Sequence, residues 1–249
     1  MSLCSDNDHD LKTIFDHMKN ELADGGETNL LSFGHVLRDM GKYDDANKYY
    51  HRLLNELPDD HEDIERCYHA LGRVAKEQGD YDSSLKWHHK SLEIMQQTLR
   101  SDHPNIAKTC YAIGNAYRKK NDFQRALESY KNALTIVKQA FGEDHPKVAY
   151  GFGNMGLVYD LEKKHLEALE CHQQGLTILE KHLPADHPDL GKSHNNIGEA
   201  HYSLGHYDLA LENFQLALKI FHKSLPPQHP ATIHVLNNMS HFHDDRGGF

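Results

Sequence analysis

Histidine is the first residue type here whose number and spacing could do chemistry. The chain holds 22 of them, and His61, His103, His145, His187 and His229 recur every 42 residues. An imidazole can bind a metal, move a proton or accept a hydrogen bond. Chelation or acid–base work needs several such groups brought close together. Residues 42 apart in a repeating chain fall in successive structural units, about one helix-pair width apart, so the series reads as structural. Its neighbours suggest how it acts. The sequence runs Asp102-His103-Pro104, Asp144-His145-Pro146 and Asp186-His187-Pro188, with Gln228-His229-Pro230 last and Asp60-His61-Glu62 first. Proline suits the first turn of a helix, where its missing N–H costs nothing and its φ is already set. The Asp or the His then sits near the N-cap. His88-His89, and His241 with His243, form no ligand set either, since the last two point to different helix faces. The reading assigns no metal and no cofactor.

A second series carries binding chemistry. Asn154, Asn196 and Asn238 are also 42 apart, joined by Asn195 and Asn237. Asparagine is a poor interior helix residue, so its return calls for a reason. Its amide donates and accepts at once, which suits an extended peptide backbone. The matching positions earlier in the chain hold Ala70 and Ala112, but nearby stand Arg66, Arg73, Lys108, Arg118 and Lys119. That is a basic cluster in a chain of formal net charge −10. It would steer and orient an acidic peptide through charge-assisted bonds. The competing reading gives these cations a solvated face and lets the asparagines bond to neighbouring helices.

Several function classes are excluded. No nucleophile elbow, phosphate-binding loop, dinucleotide fingerprint or zinc-protease motif is present, so a non-catalytic protein is expected. The acidic balance argues against nucleic acid as a partner. No apolar run approaches the ~20 residues of a membrane span, so no membrane partner is expected. The polar start, Met1 to Asp10, does not read as a secretory signal. Cys4, Cys67, Cys110 and Cys171 fit no metal spacing or compact disulfide framework, which points to reduced thiols and a cytoplasmic location.

The elements that position these residues follow from the period itself. Eleven residues after each recurring histidine comes a small residue, Gly72, Gly114, Gly156, Gly198 or Ser240. Ala107, Cys110, Ile113, Gly114 and Tyr117 share one helical face, Asn121-Asp122 breaks the helix, and Ala126, Tyr130, Ala133, Leu134 and Val137 share the face of a second helix. Gly79-Asp80 and Gly205-His206 are the equivalent breaks in other units. Each unit is therefore a pair of helices, A then B. A mean hydropathy of −0.74 suits thin two-layer stacks that keep one face in water.

This pattern resembles the tetratricopeptide repeat. Its large–Leu–Gly–Tyr signature in helix A matches Tyr68, Leu71, Gly72 and Ala75, and also Cys110, Ile113, Gly114 and Tyr117. Helix B matches with Ala46, Ser84, Ala126, Ala168 and Ala210, followed by Tyr50, His88, Tyr130, His172 and Phe214. The 42-residue unit opening on His-Pro is similar to the repeats of kinesin light chains. Residues 1–26 are expected to form a capping helix. Short repeat 1 follows at 27–60, then repeats 2 to 5 at 61–102, 103–144, 145–186 and 187–228. A single helix of an incomplete sixth repeat fills 229–249, as if the chain were part of a longer one. The resemblance implies an all-α, right-handed superhelix of helix hairpins with helix A lining its concave groove. It implies a protein–protein interaction scaffold that takes extended peptides in that groove. The expected peptide-binding residues are Arg66, His69, Arg73, Lys108, Tyr111, Asn115, Arg118, Lys119, Asn154, Lys192, Asn195, Asn196, Asn237 and Asn238. In kinesin light chains, asparagine at the Asn154 register binds ligand main chain, and the resemblance implies that role for Asn154, Asn196 and Asn238. The alternative is a regulatory or self-associating segment of a larger multidomain protein, with the C-terminal helix as the surface for self-association.

Overall fold

The computed structural model describes residues 30–58, 61–226 and 228–247, without the side chains of Leu30 and of 241–247. The expected capping helix at 1–26 lies outside the described residues. These form eleven α-helices and no strand: α1 Leu30–Asp39, α2 Tyr43–Glu56, α3 Asp63–Glu77, α4 Tyr81–Thr98, α5 Pro104–Lys119, α6 Phe123–Phe141, α7 Pro146–Leu161, α8 His165–His182, α9 Pro188–Ser203, α10 Tyr207–Ser224 and α11 Pro230–Gly247. Helix A of each repeat is thus α1, α3, α5, α7, α9 or α11.

The recurring histidines cap helices, and all five do so alike. His61 Nδ1 accepts from Asp63 N–H at 3.1 Å, His103 from Asn105 at 3.2 Å, His145 from Lys147 at 3.2 Å, His187 from Asp189 at 3.1 Å and His229 from Ala231 at 3.1 Å. Each bond satisfies one of the amides that the first turn of a helix leaves unpaired. Histidine here does the work more often given to Ser, Thr, Asn or Asp.

The turn from helix A to helix B passes through the left-handed region at the same register every time. Gly41, Gly79 and Gly205 have φ of 75, 79 and 75°, and Asn121 and Lys163 stand at the equivalent place with φ of 60°. Asparagine tolerates this conformation. Lysine gains nothing there and carries its steric cost.

The described residues form two compact units, those within 30–101 with 108–122, and those within 102–107 with 123–247. In the first, α1 pairs with α2 and α3 with α4, while α3 also packs on α1 and α2. Leu31, Tyr49, Tyr50, Leu53, Cys67, Leu71 and Val74 are its main core, and Leu85 meets Ile113 and Ala116 where α4 approaches α5. In the second, α7 pairs with α8 and α9 with α10; α9 also packs on α8 and on α11. Leu190, Phe214, Ala217, Ile220, Phe221 and Val235 form the core there.

In the pairs α1–α2, α3–α4, α7–α8 and α9–α10 the small residue of helix A receives the ring of helix B. A Cβ on Gly198 would stand 2.6 Å from Cε1 of Phe214, and one on Gly34 would meet the Tyr50 ring. Ala46, Ser84, Ala126, Ala168 and Ala210 are all fully buried beside these rings. The small side chains let the two helices approach closely, which fixes the direction in which the remaining helix-A positions face.

Candidate functional site

The first unit gathers cations on its A helices. Arg66 of α3 is exposed and donates from Nη1 to Asp63 Oδ1 at 2.7 Å. Arg73, two turns further along, is half-buried, and Lys108 of α5 is exposed. Neither has a carboxylate within ion-pair distance among the described residues. His69 lies between Arg66 and Arg73 on the same helix. Its Nδ1 meets Thr109 Oγ1 at 3.1 Å, a bond that ties α3 to α5 beside Lys108. Burial pushes His69 down to about 2, helped by His88, Lys108, Arg73 and His35, so the ring is neutral. Tyr111 is buried, Asn115 and Arg118 are half-buried, and Lys119 is exposed. The Nε of Arg118 is buried without a partner among the described residues.

One cation of this group was missed in the spacing argument. Arg38 of α1 stands four residues after Gly34, the register of Lys76 and Arg118, so counting from the glycine would have found it. It is 9% exposed. Its charge, with those of Arg73 and Arg66, reaches His35, whose pKa is lowered first by burial and then by these guanidiniums.

The second unit carries amides. Asn154 of α7 is 8% exposed and its Nδ2 has no partner among the described residues. Asn196 of α9 is half-buried. Asn195 and Asn238, both expected to face a peptide, are hydrogen-bonded within the protein. The Nδ2 of Asn238 donates to Asn195 Oδ1 at 3.0 Å and to Glu199 Oε1 at 2.7 Å, and the Nδ2 of Asn195 donates to the same Glu199 oxygen at 2.7 Å. These amides clip α9 to α11, with His234 Nδ1 at 3.5 Å from Asn195 Nδ2. The helix-to-helix reading therefore describes this pair, and only Oδ1 of Asn238 is left to accept from a ligand. Lys192 is held by Asp189 at 2.8 Å, and Asn237 is exposed.

Among the described residues no group of three His, Cys, Asp or Glu could hold a metal, and no helix is long and apolar enough to cross a membrane. Two unit-sized faces remain, one cationic and one rich in amides. Both suit the main chain and side chains of another polypeptide.

Sequence and structure comparisons agree with this architecture. Tetratricopeptide repeat signatures match residues 30–65, 63–139, 111–181 and 191–224. A comparison with curated proteins finds no match. Among solved structures, BtubC (BKLC) from P. vanneervenii is 19% identical, with a TM-score of 0.70 over 80% of this chain and 82% of that one. The nearly identical TPR-like repeats from Podosopora anserina, described as those of a kinesin light chain, are 22% identical, with a TM-score of 0.63 over 76% and 89%. The apo form of RapI is 18% identical, with a TM-score of 0.68 over 87% and 82%. At these identities the likenesses establish the fold alone, an α-helical tetratricopeptide solenoid of helix hairpins. The chain therefore belongs to the tetratricopeptide repeat family, whose arrays are protein–protein interaction scaffolds.

Proposed function

We propose that the chain binds an extended, acidic segment of another protein on the helix-A face of its first unit. The observation that carries this reading is the set Arg66, Arg73, Lys108, Arg118 and Lys119 on α3 and α5, in a chain whose net charge is −10. Cations left on one face of an acidic protein steer and orient an acidic partner. The second unit offers main-chain recognition through Asn154 and Asn196. In kinesin light chains, which these repeats resemble, asparagine at this register holds ligand backbone. The buried, unpartnered Nδ2 of Asn154 supports the same use here. No chemistry is asked of the site, so the protein acts as an adaptor. Cys67, Cys110 and Cys171 are free, buried thiols held well above the ordinary thiol range by burial, which suits a reducing, cytoplasmic setting.

The test is titration of the full chain with a glutamate-rich peptide. Arg73→Glu combined with Arg118→Glu should weaken binding, and so should added salt. Binding indifferent to both changes would remove the groove assignment.

A second reading rests on α11, where Ile233 and Leu236 are each 47% exposed. Apolar side chains at that spacing suit a second copy of the chain. Light scattering separates the two: a dimer that Leu236→Glu dissociates favours self-association, and a monomer that binds acidic peptide favours the adaptor.

A further inference from the structure

Arg38 is the oddest charge in the molecule. Cations are almost never this buried unless paired, and its pairing is incomplete. Nε and Nη2 both reach Asp39 Oδ1, at 3.0 and 2.6 Å, but that carboxylate is itself 68% exposed. Nη1 is buried with no acceptor among the described residues. The charge of Arg38 reaches Arg73 on the adjoining α3, whose pKa is lowered first by burial and then by that neighbour. A buried guanidinium without a full complement of acceptors is costly, and a like charge beside it adds to that cost. An anion in this corner would reverse both effects.

The surrounding carboxylates are already engaged. Asp63 holds Arg66 at 2.7 Å, and Glu77 holds Lys76 at 2.8 Å. Asp39 covers one edge of Arg38. Arg73 and Lys108, like Arg118 and Lys119, have no carboxylate within ion-pair distance among the described residues. The charges of Arg73 and Lys108 both reach His69, and that of Arg73 reaches His35. His69 is neutral and joins α3 to α5 through Thr109, which keeps Lys108 at the edge of the same face. The local balance is therefore two positive charges and a guanidinium edge lacking an acceptor.

We propose that Arg38, Arg73 and Lys108 form a dianion site that takes a phosphorylated serine or threonine side chain of the bound peptide. The inference rests on the peptide-binding reading above and makes it specific. A carboxylate brings one charge and two oxygens, so it leaves one cation unmatched. A phosphoryl group brings a charge of about −1.5 to −2 and three acceptor oxygens, which matches Arg73, Lys108 and the Nη1 that lacks an acceptor. Arginine pairs present the fork geometry that phosphate oxygens accept.

The experiment is calorimetric titration of the full chain with three peptides of one acidic sequence, carrying phosphoserine, glutamate or serine at the centre. The phosphoserine peptide should bind about tenfold tighter than the glutamate peptide, roughly one charge-assisted bond's worth. Arg73→Ala and Lys108→Ala should each abolish that preference. Lys108 is exposed, so Lys108→Ala leaves the fold intact, as circular dichroism would verify, even if Arg38→Ala does not. Inorganic phosphate and a single-stranded oligonucleotide should each bind more weakly than the phosphopeptide; equal affinity for either one overturns the proposal. If glutamate and phosphoserine peptides bind equally well, the dianion site falls and the acidic-peptide reading stands. If none of the three peptides binds, both fall.

Discussion

His88 of α4 lies directly on the backbone of α3 at Gly72: a Cβ added to that glycine would stand 2.6 Å from Cε1 of the ring. The same contact recurs between Gly198 and Phe214. The repeat therefore closes on a ring seated over a residue without a side chain, and the first prediction follows from it.

Gly72→Ala should destabilise the protein. Overpacking at a closed contact costs about 1–3 kcal/mol, more than the ~1 kcal/mol that alanine gains over glycine in a helix interior. Gly153→Ala is the control. Nothing lies within 4 Å of a Cβ at Gly153, so thermal unfolding should show a gain of about 1 kcal/mol there. Equal effects at the two sites would contradict the packing.

His88 makes the protein acid-sensitive. Burial first, then Lys76, His89 and Arg73, push its pKa down to about 3. The unfolded chain takes up a proton near pH 6.5, whereas the folded ring stays neutral. Between those values the unfolded state binds more protons, so stability falls as the pH falls. The loss at pH 5 is about 2 kcal/mol. His88→Phe, which installs the residue found at Phe214, should flatten the decline in melting temperature between pH 7 and 5. An unchanged slope would show that this ring is not its source.

His172 occupies the equivalent place in the second unit with the opposite neighbour. Its Nε2 meets Asp160 Oδ2 at 3.0 Å, where the His88 repeat has Lys76. His172→Phe should destabilise at neutral pH, because Asp160 loses a buried partner worth about 1.5–3 kcal/mol. Chemical denaturation at neutral pH should show His172→Phe less stable than the parent chain, and an unchanged midpoint would contradict the contact with Asp160.

Lys163→Gly should stabilise. Lysine holds φ of 60° at the α7–α8 turn, where three other repeats have glycine. Relieving that conformation gains about 1 kcal/mol. The denaturation midpoint should rise with no change in slope.

Asn154→Leu sets stability against binding. The buried amide leaves Nδ2 unpartnered, and an unsatisfied buried donor costs about 1–3 kcal/mol. Leucine should raise the melting temperature of the free protein and weaken peptide binding. A variant that is more stable and binds equally well would take Asn154 out of the site.

Much was legible in the sequence because it depends on period and residue type. The 42-residue spacing, the His-Pro helix starts and the glycine-to-ring register each express a local rule of helix geometry, repeated until chance is excluded. Gly72 and His88 are 16 residues apart, so one hairpin brings them together. What only the tertiary structure decided involves partners one repeat away. The sequence put histidine near the helix cap, and the fold made its Nδ1 the acceptor in all five repeats. Asn195, Glu199 and Asn238 share a face by count, but whether they reach for a ligand or for each other depends on how closely α9 approaches α11. Arg38 looks like any surface arginine in the sequence, and the fold buries it. Spacing fixes the side of a helix a residue occupies, whereas the groups it meets are set by the neighbouring helix.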